Sequence, residues 1–127
     1  MSDQPTEVSA LHAVAHALRE HALAYPEAWE DFPWGETAVK VRKKVFVFLG
    51  ASDERVSIGV KLREHHEAAL ALPFVEPTGY GLGRHGWVTG RITADTEVDV
   101  DQLRSWIDES YRLVAPKKLV KSLDSVS

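Results

Sequence analysis

Three strand-patterned segments follow one another between Thr37 and Lys61 with only turns between them, and no other feature of this 127-residue chain limits its fold as strongly. Val39 and Val41 alternate with Lys40 and Arg42, and Lys43-Lys44 leads into the β-branched and aromatic run Val45 to Leu49. After the turn from Gly50 to Glu54, Val56, Ile58 and Val60 alternate with Ser57 and Gly59. A period of two with Val, Ile and Phe enriched marks strands that bury one face. Segments this close in sequence pair antiparallel. A doubly wound parallel sheet is excluded, because it would need a helix after each strand.

Helical periodicity brackets this block. Val8, Leu11, Ala15, Leu18 and Ala22 recur at three and four residues until Pro26. Leu103, Ile107, Ser110, Tyr111 and Val114 do the same near the C-terminus, with Asp99 or Asp101 as the N-cap and Pro116 as the break. Glu64 to Leu72, rich in Ala and Leu and ended by Pro73, predicts a short helix. Thr78 to Leu82 and Trp87 to Thr93, around a glycine-rich turn, predict a second hairpin. Pro26 to Gly35 sets Trp29, Phe32 and Trp34 among Glu27, Glu30 and Asp31 and reads as an aromatic-rich connection; Lys117 to Leu123 reads as one more helical turn. The expected fold class is α+β. It is a two-layer sandwich with an antiparallel sheet of about five strands and helices on one face, in the order α-β-β-β-α-β-β-α. The length fits a single domain, 1–127, with flexible ends at 1–5 and 124–127.

The absence of cysteine excludes thiolate metal sites, iron–sulfur clusters, a cysteine nucleophile and a disulfide framework. Asp3 and Glu7 stand near the N-terminus without a basic residue or an apolar stretch, so no secretory signal is expected. The longest apolar run, Val45 to Leu49, falls far short of the roughly 20 residues a membrane-spanning helix needs. A cytoplasmic protein without membrane contact is expected. The formal net charge of −4, from 15 basic and 19 acidic side chains, argues against a surface that is electropositive throughout. Its distribution is uneven. Lys40, Arg42, Lys43 and Lys44 give Thr37 to Gly50 a balance of +4, and Arg112, Lys117, Lys118 and Lys121 give Arg112 to Leu123 the same, which leaves −12 for the rest.

Gly81-Leu82-Gly83-Arg84-His85-Gly86 matches the letters of a dinucleotide-binding turn, but a strand-like Trp87-Val88-Thr89 follows where that motif requires a helix. Its glycines suit a hairpin turn that needs positive φ. His12 and His16 are one helical turn apart and His65 and His66 are adjacent, yet neither pair has a sequence-near third ligand, and no metal is expected. There is no G-x-S-x-G elbow, and the acidic residues read as solvated faces, so no catalytic residue and no cofactor is expected. The aromatics Trp29, Phe32, Trp34, Tyr80, Trp87, Trp106 and Tyr111 could stack on bases, but packing is the commoner use. The strongest functional signal is a pair of turns. Arg42-Lys43-Lys44 and Arg84-His85 would place cations at two hairpin tips, where they can contact phosphates. Cations at hairpin ends also serve solubility and block edge-to-edge pairing.

These residues together resemble the MmcQ/YjbR proteins, small bacterial domains described as DNA-binding. The resemblance runs from about Leu18 to Val114. It rests on Pro26, the acidic-aromatic link to Phe32-Pro33-Trp34-Gly35, Val39-Lys40-Val41, Lys44-Val45-Phe46, Arg84-His85-Gly86-Trp87 and Ser110-Tyr111. It implies a two-layer fold of the kind seen in secretion chaperones and a double-wing mode of binding double-stranded DNA. The first wing would use Arg42, Lys43 and Lys44 and the second Arg84 and His85, with Trp87 bracing the second hairpin. The glycine-rich second turn, with Gly79, Gly81, Gly83 and Gly86, departs from the side-chain-richer turn usual in the family and implies a more mobile wing. The alternative is a module that binds a protein partner, drawn by the chaperone-like architecture and the acidic faces.

Overall fold

The computed structural model describes residues 6–32, 37–52, 54–79 and 81–126, with side chains placed between residues 10 and 124. The elements are α1 (Thr6–Leu23), β1 (Ala28–Asp31), β2 (Thr37–Val41), β3 (Lys44–Ala51), β4 (Val56–Lys61), α2 (His66–Leu70), β5 (Val75–Pro77), a 3-10 turn (Leu82–His85), β6 (Trp87–Ile92), α3 (Val100–Val114) and α4 (Lys117–Val126). The strands form one sheet in the order β1-β2-β3-β4-β6-β5, with every neighbouring pair antiparallel. Helices α1 and α3 pack on β3 and β4 and on each other, and α4 packs on α3. The fold class is the expected α+β two-layer arrangement. The sheet has six strands instead of about five.

The added strand is β1, inside the segment read as a connection. Its charges hid it, and each finds a partner: Arg19 of α1 pairs with Glu30 at 2.5 Å and Lys40 of β2 with Asp31 at 2.9 Å. The alternation is real, with Glu30 toward the helices and Trp29 and Asp31 on the other face. A second correction concerns the second hairpin. Its first strand is Val75–Pro77 and not Thr78–Leu82, because the edge position tolerates Pro77 and the glycines that follow make the turn. Tyr80 lies outside the described residues. The last helix is also longer than one turn: Pro116 breaks α3 and then accepts the first bonds of α4, from the N–H groups of Leu119 and Val120.

Alternation of the strands fills the core between sheet and helices. Val39, Val47, Ile58, Val60, Leu103, Ile107 and Leu18 are buried, as the sequence pattern requires. Phe46 breaks the alternation. Val39 pairs with Val47 but Lys40 pairs with Val45, so Phe46 is the extra residue of a β-bulge and turns inward beside Val47. There its ring meets Tyr25 and Tyr111 edge-on, while those two stack with centroids 4.6 Å apart. The Tyr111 hydroxyl donates to the Pro26 carbonyl at 2.8 Å, and Tyr25 donates to Asp108 at 2.8 Å. Burial, together with that bond, pushes the Tyr25 phenol well above its usual range. Ser110 is the buried polar side chain of this region. Its hydroxyl donates to the Phe46 carbonyl at 2.5 Å and accepts from the Lys61 N–H at 2.9 Å. One residue of α3 thus satisfies the backbone where β3 and β4 separate beyond Val47 and Val60.

Candidate nucleic-acid interface

Register alone places the two predicted tips. Val39, Val47, Val60, Val88 and Pro77 form one row across the sheet, and β2 and β5 both run from that row toward the same end. The β2–β3 turn at Arg42-Lys43 and the β5–β6 turn at residues 78–86 therefore emerge together. Only β4 lies between β3 and β6, so the tips stand about 10 Å apart at their bases.

The first tip is held by several constraints at once. Arg42 has φ of 57°, the left-handed region that the first position of a primed hairpin turn demands. Trp29 donates its indole N–H to the Arg42 carbonyl at 2.7 Å, and the Arg42 guanidinium bonds the Glu27 carboxylate at 3.0 Å. Glu27 itself has φ of 60°. Hydrogen bonding from Arg42, reinforced by the nearby charges of Arg42 and Lys118, holds the Glu27 carboxyl below its usual range. Arg42 thus shapes the tip and spends its charge on Glu27. Lys43 and Lys44 are exposed and have no ion-pair partner among the described residues. Lys118, at the start of α4, lies within electrostatic reach of Glu27 and so joins this end of the molecule.

The second tip is a compact turn. Leu82, Gly83, Arg84 and Gly86 donate to the carbonyls of Gly79, Thr78, Gly81 and Gly83. Gly81 and Gly86 have φ of 80° and 93°. A Cβ on Gly86 would come within 2.5 Å of the Leu62 carbonyl oxygen, and the Leu62 N–H donates to the Gly86 carbonyl at 2.9 Å. The turn is thus stitched to the chain leaving β4. Its glycines serve this geometry, and the strand β6 that follows is not the helix a dinucleotide turn requires. Arg84 and His85 are both exposed on it. Trp87 does brace the hairpin: it is 8% exposed, with its ring 5.6 Å from that of Phe48.

Beside the second tip, and reaching Leu113 of α3, lies an open groove of about 450 Å³ bordered by Lys61, Arg63, His66, Arg84 and His85. Lys61, Arg63 and His66 escaped the sequence reading. The available signal was parity: a third strand ending at Lys61 must deliver Lys61-Leu62-Arg63 to the end where the first tip sits. Among the described residues no carboxylate pairs with Lys61, Arg63 or Arg84. Several cations elsewhere are paired with acids: Arg91 with Glu76, Arg104 with Asp101 and Arg112 with Asp108 and Asp124.

The remaining histidines have other surroundings. His12 and His16 are exposed on α1. His65 bonds Glu109 at 2.5 Å, and the other oxygen of Glu109 accepts from the N–H groups of Arg63 and Glu64 at 2.5 and 2.8 Å. Burial would raise the Glu109 pKa, but these bonds hold the carboxyl below its usual range, and the same contact raises that of His65. Glu64 completes a group of three potential ligands there, but both Glu109 oxygens are already engaged in anchoring the approach to α2. Of the aromatics, Trp106 and Tyr111 are core, Trp29 and Phe32 are 44% and 62% exposed, and Trp34 lies outside the described residues.

Fold and site together define a small α+β domain whose antiparallel sheet carries two basic tips at one end. The YjbR family model matches residues 23–113, and the chain belongs to the YjbR family. None of the curated proteins matches it. No helix among the described residues is long and apolar enough to cross a membrane.

Proposed function

We propose that this protein is a nucleic-acid-binding module, without catalysis, that receives the phosphates of double-stranded DNA on the sheet end formed by Lys43, Lys44, Arg84 and His85. The observation that supports it is the convergence of both tips on one end, where Lys43, Lys44 and Arg84 have no carboxylate partner among the described residues. Arg42 acts by shaping the first tip and not as a free phosphate contact. Contacts of this kind carry little sequence information. Their affinity falls with salt, with a log–log slope of about −3 if Lys43, Lys44 and Arg84 each displace one counterion. Duplex binding measured at two ionic strengths tests the reading. Lys43→Glu and Arg84→Glu should each weaken binding about tenfold or more at low salt. Absence of binding at low salt, or binding indifferent to both substitutions, contradicts it.

One observation favours the rival reading of a protein-interaction module: Trp29 and Phe32 are exposed on the edge strand β1 and just beyond it. A partner retained by the wild type and lost with Phe32→Ser, where DNA does not bind, would favour it.

A further inference from the structure

The groove beside the second tip differs from the tips themselves. A tip offers isolated cations to an extended polyanion, whereas the groove gathers Lys61, Arg63 and Arg84 around one concavity, with His66 and His85 on its rim. Its polar lining contains no acidic residue among those described. Three permanent charges facing one volume repel one another, so the arrangement carries a cost that a bound anion removes. His66 supplies an independent observation. Its Nε2 is enclosed and has no hydrogen-bond partner among the described residues, which is uncommon for a buried polar atom. His66 is also one of the residues that line the groove, so the wall that carries the cations holds a polar group left without a partner.

We propose that this groove binds a phosphate monoester dianion. A doubly charged terminal phosphate suits three fixed cations better than a single diester linkage does, and arginine forks suit its planar pairs of oxygens. The groove is larger than a phosphate group and open on one side, which leaves room for whatever the phosphate is attached to. Two sources share this chemistry: the 5′-phosphate end of a nucleic acid strand, and a small phosphorylated molecule or inorganic phosphate. The inference deepens the nucleic-acid reading and rests on it for the polyanion at the tips, but it concerns different side chains, Lys61, Arg63 and His66.

The test is an NMR titration of the full chain with inorganic phosphate, following the imidazole signals of His66 and His85. Both should respond and saturate together. Arg63→Gln should weaken phosphate binding about tenfold, and Lys43→Glu should leave it unchanged. Backbone spectra of the two variants show whether each is folded, and Lys61→Gln supplies a second groove variant if Arg63→Gln is not. Oligonucleotides with a 5′-phosphate or a 5′-hydroxyl then separate the sources. Preference for the phosphorylated strand assigns the groove to strand ends, and equal affinity with phosphate binding intact assigns it to a small phosphorylated molecule. Either result supports a monoester site. No saturable response of His66, or a response that neither groove substitution weakens, overturns it. Duplex binding that survives such a result leaves the tip reading standing, and phosphate binding without duplex binding removes the tip reading alone.

Discussion

Ser110 shows how a single hydroxyl can hold two layers together. It joins α3 to the Phe46 carbonyl and the Lys61 N–H at the bulge, so Ser110→Ala leaves two backbone groups unsatisfied in a site with no exposure. The expected loss is about 1–3 kcal/mol, read as a lower midpoint in urea unfolding with an unchanged slope. Arg42 gives the opposite kind of prediction. Its φ of 57° strains any residue with a Cβ, so Arg42→Gly should be about 1 kcal/mol more stable than Arg42→Ala, although both lose the Glu27 pair. Equal stability of the two variants would show that the turn relaxes. Such roles were only partly legible in the chain. Ser110-Tyr111 was visible as a pair in a helical stripe, but the bulge it serves arises from pairing between β2 and β3, which alternation in one strand does not reveal. Arg42 looked like one of three equivalent cations, because its partner Glu27 lies 15 residues earlier, across a connection.

At the scale of elements, α2 depends on something outside itself. It is five residues long, and its N-cap position, His65, makes no side-chain cap bond. A helix this short does not persist alone. Glu109 of α3 accepts the N–H groups ahead of it and binds His65, which ties α2 and one wall of the groove to α3. The pH dependence follows from the signs. Folded His65 is raised, so its contribution is complete below about pH 6.5 and is lost as pH climbs through the raised value. Folded Glu109 is lowered, so its contribution is present above about pH 4.5 and is lost as pH falls through the lowered value. The pair therefore stabilises most in mildly acidic solution. His65→Gln should flatten the fall in stability between about pH 6 and 8, as measured by thermal unfolding; an unchanged profile would deny the pair that role. Element boundaries were read best where periodicity was long, as in α1 and α3. They were missed where charge or proline masked a short edge strand, as in β1 and β5, because there pairing with a neighbour supplies what local propensity does not.

For the whole molecule, the net charge of −4 is the wrong number to reason from. The sequence divides it into two basic stretches and an acidic remainder, and the fold divides it again. Register brings the first basic stretch, the second tip and the residues after β4 to one end, and Lys118 extends that end from α4. Arg19, Arg91, Arg104 and Arg112 elsewhere are paired with acids, whereas Lys43, Lys44, Lys61, Arg63 and Arg84 at the sheet end have no such partner among the described residues. This much was foreshadowed by the two turns. What the chain could not show is that the tips point the same way and that the second borders a groove with the residues after β4, since that depends on strand order across β4 and β6. A field concentrated at one end would orient a polyanion before contact. The most direct test is duplex DNA binding across ionic strength, for the wild type and for Lys43→Glu combined with Arg84→Glu. The account predicts a log–log slope of about −3 for the wild type and a slope smaller by about 2 for the double variant. Binding that is absent at low salt, or a slope that the double variant shares with the wild type, would contradict it.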